Sequence, residues 1–258
     1  MNGRFLLAPE GGGPIRRNSR YRCAMDAADQ AGAAPEAPRV RVWDLPTRLF
    51  HWVLAATVLG SVVSAKVGGA AMVWHFRFGY VVFTLLAFRV VWGFVGGRWS
   101  RFASFVRGPG AIVRYLKGDH RPDEGFEVGH NPLGALSVLG LLAWLAVQVG
   151  TGLVADDEIA NIGPLNRFVS TDTGLEATSW HKSFGQWGLI ALVALHLIAI
   201  AYYLHRKKVN LVRPMLHGDK VLPPHVPPSR DDAVTRATAA ALLAGCAVLV
   251  TWIVGLGG

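Results

Sequence analysis

Cysteine is almost missing from this chain: there are two, Cys23 in a polar N-terminal stretch and Cys246 inside an apolar run. Two such distant thiols exclude a disulfide framework, a metal–thiolate cluster and an iron–sulfur centre, and the lack of a C-x-x-C-H sequence excludes covalent haem attachment. Acidic residues are also sparse, 17 against 26 lysines and arginines. None falls within the first four long apolar runs, which argues against a proton-coupled transporter, where carboxylates inside the membrane relay protons. A flavin motif is missing too, so chemistry of that kind would have to belong to another polypeptide.

What the chain has instead is apolar bulk, 52% of its residues. It is gathered into blocks long enough to cross a hydrocarbon layer of about 30 Å, which takes about 20 helical residues. Helices are expected over Arg48 to Lys66, His75 to Gly96, Asn131 to Val154, His181 to His205 and Val234 to Gly257. Only helices satisfy their own backbone in lipid, so the expected fold class is all-α integral membrane, a four-helix transmembrane bundle plus a fifth C-terminal transmembrane helix. Three domains follow: residues 1–38 as a disordered tail rich in Gly, Ala, Pro and Arg, 39–220 as the four-helix core, and 221–258 as a Pro-rich linker with the fifth helix. Met25 is a candidate for the true start, which N-terminal sequencing would decide.

The net charge of +9 is distributed by side. Arg39, Arg41 and Arg48 precede the first helix; Arg98, Arg101, Arg107, Arg114, Lys117 and Arg121 follow the second; Arg206, Lys207, Lys208, Arg213, Lys220 and Arg230 follow the fourth. The positive-inside rule places these segments in the cytoplasm of a bacterial inner membrane, with the N-terminus cytoplasmic and the C-terminus periplasmic. Topology accounts for the basic residues, so nucleic acid is excluded as a partner.

Two hexads, Trp74-His75-Phe76-Arg77-Phe78-Gly79 and Trp180-His181-Lys182-Ser183-Phe184-Gly185, head two of the apolar runs and share the pattern W-H-x-x-F-G. They enter the bilayer from the same side. Each offers an imidazole with glycine one turn below it, an imidazole beside a flat strip of backbone, which suits a haem. His196 follows His181 by 15 residues, a descent of about 22 Å that leaves the two side chains about 60° apart on the helix. That depth matches His51, one turn inside the first helix, whose start is expected at Asp44-Leu45-Pro46 with aspartate as cap and proline in the first turn. Geometry thus pairs His75 with His181 in the outer leaflet and His51 with His196 in the inner leaflet. Two neutral imidazoles per iron would give two low-spin b haems per chain, suited to electron transfer.

Arg89 lies 14 residues after His75, at the depth of the inner pair. It either meets a haem propionate or snorkels to the headgroups. Gly79 and Gly185 either flank haem or permit close helix packing, and their recurrence after a histidine favours haem. His130, in Gly129-His130-Asn131-Pro132, is read first as a helix-start residue, with a propionate contact or a rival inner ligand as alternatives. His205 points away from the inner site, and His120, His217 and His225 lie in polar loops. The acidic run Asp156-Asp157-Glu158 is read as a solvated loop before a proton acceptor.

Arg48-Leu49-Phe50-His51-Trp52, His75-x-x-x-Gly79, Gly129-His130-Asn131-Pro132-Leu133-Gly134, and Trp180-His181 with His196 together resemble the prokaryotic cytochrome b561 family, which also includes the b-type cytochrome subunits of nickel-iron hydrogenases. The resemblance covers Arg39 to Lys220 and leaves the fifth helix as a departure. It implies a four-helix di-haem core whose ligands fall on His51, His75, His181 and His196. It further implies electron exchange with membrane quinone or with a redox protein such as a c-type cytochrome or hydrogenase subunits. The leading expectation is therefore a respiratory-chain electron carrier in the lipid bilayer, acting as a free quinol oxidoreductase or as the anchor of a larger complex, with a homodimer as a further expectation. A non-redox membrane scaffold or transporter is the alternative of another class, and a reduced-minus-oxidised spectrum separates the two.

Overall fold

The computed structural model describes residues 38–119, 126 and 128–257. Of the expected N-terminal tail only Pro38 is among them; Met25, Cys23 and His120 lie outside the described residues. Five helices are long and apolar enough to cross a membrane: α1 (Leu45–Val67), α2 (Met72–Val95), α4 (Pro132–Val154), α5 (Thr171–His205) and α6 (Ala233–Gly255). A shorter amphipathic helix, α3 (Pro109–Lys117), lies between α2 and α4.

The helix starts are written in local chemistry. Asp44 caps α1 by accepting from the Thr47 N–H at 2.8 Å, with Pro46 in the first turn. Asn131 caps α4 by accepting from the Gly134 N–H at 2.7 Å, and Asp232 caps α6 through the Thr235 N–H at 2.8 Å. Each cap satisfies a donor that has no partner inside its own helix.

The fourth spanning helix departs from expectation. It begins at Thr171, ten residues before His181, under a Ser170 cap. His181 therefore stands inside a 35-residue helix and does not open it. At that point five residues, His181–Gly185, wind as a π turn before the α-helix resumes at Gln186. The polar segment Thr171–Glu176 carries the helix beyond the apolar run that marks it in the sequence, which is why hydropathy alone misses it.

Two apolar clusters hold the bundle. Phe50, Leu85, Phe88 and Trp92 close on Ala239 and Cys246, joining α1, α2 and α6. Val82, Leu86, Leu145 and Leu189 join α2, α4 and α5. A third cluster, Val42, Trp43 and Val128 with Trp99, Met215, Leu222 and Val226, lies at the end of the molecule nearest His51.

That end is also tied by backbone. Arg39–Arg41 pairs antiparallel with Asp219–Val221 as a two-stranded ribbon that sequence patterning does not reveal. The Pro-rich linker is fastened rather than loose: the Trp99 indole donates to the Pro227 carbonyl at 2.9 Å, and Ser229 donates its hydroxyl to the Val42 carbonyl at 2.7 Å. Asp231, just before α6, accepts from the Leu45 N–H and pairs with Arg41 at 2.9 Å and Arg236 at 3.1 Å. The fifth helix is thereby docked against the start of the first.

Candidate functional site: two histidine pairs

His75 on α2 and His181 on α5 face one another with ring centres 5.9 Å apart and planes at 88°. His51 on α1 and His196 on α5 do the same at 6.4 Å and 50°. The four histidines thus come together as two pairs, one toward each end of the bundle.

The His75–His181 pair, called outer after the expected topology as the His51–His196 pair is called inner, borders a cavity of about 390 Å³ lined by residues of α1, α2, α4 and α5, among them Ser61, Gly79, Gln148, Gly152 and Leu189. A cleft of that size is within the range that small molecules and cofactors fill. Gly79 opens on it with nothing within 4 Å of where a side chain would begin. Gly152, on α4, sits under the His181 ring, where a β-carbon would approach the imidazole to 3.0 Å. Gly185 does not share this role. A β-carbon there would overlap Gln148 and the Trp180 ring, so Gly185 serves the close approach of α4 to α5.

Both outer imidazoles are oriented from outside the pair. His75 Nδ1 lies 2.9 Å from the Ser61 carbonyl and 3.1 Å from its hydroxyl, and His181 Nδ1 lies 3.2 Å from the Thr151 hydroxyl. A proton on Nδ1 leaves each Nε2 lone pair free toward the partner ring. The π turn contributes too. It releases carbonyls from the regular ladder, and α4 supplies their donors: Gln148 Nε2 to the His181 carbonyl at 3.0 Å and the Trp144 indole to the Gly185 carbonyl at 2.8 Å. Because a π turn absorbs about one extra residue, the 15 residues to His196 turn through about 1400° rather than 1500°. The two side chains are brought from about 60° to about 40° from alignment.

The inner pair is held differently. His51 Nδ1 is buried without a hydrogen-bond partner, and its ring meets the Trp52 indole edge-on at 5.0 Å. Arg89 is 3% exposed, so it does not snorkel. Its Nη2 donates to the Ser100 carbonyl at 3.0 Å and its guanidinium lies over the Phe102 ring at 4.8 Å, leaving Nη1 buried and unpartnered. The buried Asp44 carboxylate next to it accepts from the Ser100 hydroxyl at 2.8 Å and from the Trp92 indole at 3.3 Å. His130 is held between Trp43 and Phe105, each with ring centres 4.7 Å away. Burial pushes its pKa down to about 3, with the positive charges of Arg89 and Lys220 acting the same way, so it stays neutral. The helix cap at this point is its neighbour, Asn131.

Residues 42–218 match the family described as prokaryotic cytochrome b561. The chain belongs to that family. Similar proteins include a probable Ni/Fe-hydrogenase B-type cytochrome subunit of Bradyrhizobium diazoefficiens, 24% identical over 75% of this chain and 91% of the relative. Others are a probable Ni/Fe-hydrogenase 1 B-type cytochrome subunit of Escherichia coli K12, 27% identical over 60% and 80%, and a counterpart in Azotobacter chroococcum, 26% identical over 76% and 95%. No solved structure matches.

Family membership makes this a membrane b-type cytochrome that transfers electrons and carries haem b, and it removes the scaffold and transporter readings. The residues present fit that group. With a metal–imidazole bond of about 2 Å and about 1 Å from nitrogen to ring centre, two axial imidazoles stand about 6 Å apart, and the pairs measure 5.9 and 6.4 Å. Ser61, Thr151, Gln148, Trp144 and Gly152 escape sequence reading, because none carries a motif and their roles arise only when α1 and α4 meet the histidines. Asp157, by contrast, builds a turn: hydrogen bonds from Asn161, its side chain at 2.6 Å and its N–H at 2.8 Å, hold its carboxyl well below the usual carboxylate range.

Proposed function

We propose that this b561-family cytochrome binds two b haems and relays electrons across the bacterial inner membrane, with His75 and His181 as the residues that would hold the outer haem and His51 and His196 those that would hold the inner one. The observation that carries this reading is the recurrence, at two depths and with α5 supplying one histidine to each pair, of one imidazole spacing: 5.9 Å and 6.4 Å.

Haem b would supply a one-electron iron couple, suited to electron transfer. The chain's own residues do the rest. Ser61 and Thr151 fix the outer tautomers and raise ligand basicity. Gly79 leaves the face of the outer cavity flat. Arg89 provides a buried cation with a free N–H near the inner site, placed to receive a propionate. The bundle wall of Val, Leu and Phe side chains excludes water and so sets the potentials.

The basic segments at the His51 end support a topology with the N-terminus in the cytoplasm and the C-terminus in the periplasm. The similar proteins carry hydrogenase subunit names, and this chain lacks the cysteines to hold a cluster of its own. We therefore read it as the membrane partner of a hydrogenase-like complex that passes electrons to membrane quinone.

Pyridine haemochrome analysis of the full chain should give two b haems per polypeptide, and a quinone analogue should reoxidise both dithionite-reduced haems in a stopped-flow trace. One haem at full occupancy would overturn the di-haem assignment, and reduced haems that the quinone analogue does not reoxidise would overturn the quinone role.

A further inference from the structure

We propose that α3 (Pro109–Lys117) is a seat for anionic phospholipid headgroups, lying in the plane of the membrane surface at the end of the bundle where α4 starts and α5 finishes. At about 100° per residue its nine positions divide into three sectors. Ala111 and Tyr115 fall together and are half-buried against the protein. Leu116 and Val113 form a second sector, 64% and 48% exposed. Arg114 and Lys117 occupy the third. A helix meant for water would not turn leucine and valine outward. A helix meant for the hydrocarbon interior would not carry two cations in its last two turns. An amphipathic segment lying at the boundary satisfies all three sectors at once.

The roll of the helix is fixed. The Tyr115 hydroxyl meets the Tyr203 hydroxyl at 2.9 Å, and the same Tyr203 oxygen accepts from Asn131 Nδ2 at 2.7 Å. Tyr203 is near the end of α5 and Asn131 caps α4, so two spanning helices hold the outward sector at a set angle. Among the described residues, the charge flanking it is mainly positive. Arg107 precedes α3, and Arg206, Lys207 and Lys208 follow α5 at the same end, against Asp119. Headgroup phosphates complement such a rim, and the spanning helices on either side keep the bilayer against it. The acidic face of a partner protein would match the charges but would leave Leu116 and Val113 without an apolar surface to meet.

The test uses the full chain, haem-loaded, in nanodiscs of phosphatidylcholine alone or with phosphatidylglycerol added. A nitroxide is attached through Leu116→Cys, with Cys23→Ser and Cys246→Ala removing the other thiols. We expect its collisions with oxygen to exceed those with a water-soluble nickel chelate several-fold, and that ratio to rise again when phosphatidylglycerol is present. A label at Lys117→Cys should show the opposite preference. Arg107→Gln with Lys117→Gln should abolish the rise while leaving the haem spectrum intact, which separates lost lipid binding from lost folding. Inorganic phosphate added to phosphatidylcholine discs should not reproduce the rise; if it did, the surface would be a free-anion site instead. A Leu116 label open to the nickel chelate in both lipids would overturn the proposal and leave the surface to a protein. An equal ratio in the two lipids would show that the headgroup charge is not read.

Discussion

The outer and inner histidine pairs have nearly the same ring spacing, yet the protein holds them by different means. At the outer pair both Nδ1 atoms meet oxygen atoms from neighbouring helices, Ser61 on α1 and Thr151 on α4. At the inner pair His51 Nδ1 has no partner, and the polar resources are spent nearby instead, on Arg89, Asp44 and Ser100. On the proposed assignment the outer site would be tuned through its ligands, by hydrogen bonds that set tautomer and basicity. The inner site is tuned through its surroundings, by a buried cation and by the ribbon and linker that close that end. Single substitutions should therefore act on one site at a time, and in opposite ways.

The largest effect is loss of a haem. His181→Ala or His75→Ala should bleach the outer haem and leave the inner, while His51→Ala or His196→Ala should do the reverse, because about 22 Å of helix separates the levels. Haem content should fall from two to one in each case. A variant that empties the other level would show that the pairing crosses between leaflets.

Next comes the fifth helix. It contributes Ala239 and Cys246 to the cluster around Phe50 and Trp92, and Asp231 ahead of it caps the start of α1. It offers no ligand. A chain ending at Lys220 should keep the outer haem spectrum, and should lose thermal stability with the inner haem released first on heating. Simultaneous release of both haems would mean that the two ends of the bundle are not independent.

A smaller shift separates charge from ligand tuning. Arg89→Leu removes a cation that favours the reduced state, so the inner midpoint potential should fall, by about 59 mV if the redox equilibrium changes tenfold. Redox titration should show the outer potential unmoved. Thr151→Val removes the oxygen facing His181 Nδ1, makes the ligand less basic, and should raise the outer potential slightly while weakening haem retention by up to about tenfold. Ser61→Ala should do less, since the Ser61 carbonyl still lies 2.9 Å from His75 Nδ1. Equal responses of both haems to either change would erase the distinction between the two sites.

The inner and outer histidines were legible in the sequence because depth along a membrane helix is a simple function of residue number, and so was the Asp44 cap. The W-H-x-x-F-G repeat singles out His75, His181 and Gly79, and all three line the outer cavity. It misled at Gly185, because a glycine one turn after a histidine is also what lets two helices touch, and only the placement of Trp180 and Gln148 tells the two apart. The start of α5 at Thr171 was hidden by polar residues that hydropathy discounts. The ribbon between residues 39–41 and 219–221 was hidden because its strands are three residues each and far apart in sequence. Second-layer partners such as Thr151 have no signature of their own. They acquire meaning only from the atom they face.

The smallest expected effect concerns the π turn, and it distinguishes a positioning device from an irregularity. Ser183 lies at its centre with its side chain exposed toward solvent or lipid. Deleting Ser183 should let His181–Gly185 relax into an ordinary α turn. His181 and His196 would then stand 14 residues apart, turning through about 1400°, the angle the π turn already sets. Both haems should therefore be retained. The outer one should shift slightly in potential as the His181 and Gly185 carbonyls return to the helix ladder and release Gln148 and Trp144. Deleting Ile190, in the regular stretch between the two histidines, removes the same number of residues but turns His181 about 100° away from His196, and should cost one haem. If the Ser183 deletion bleached the outer haem as fully as the Ile190 deletion, the π turn would not be what aligns the two levels, and the alignment would have to come from the packing of α4 alone.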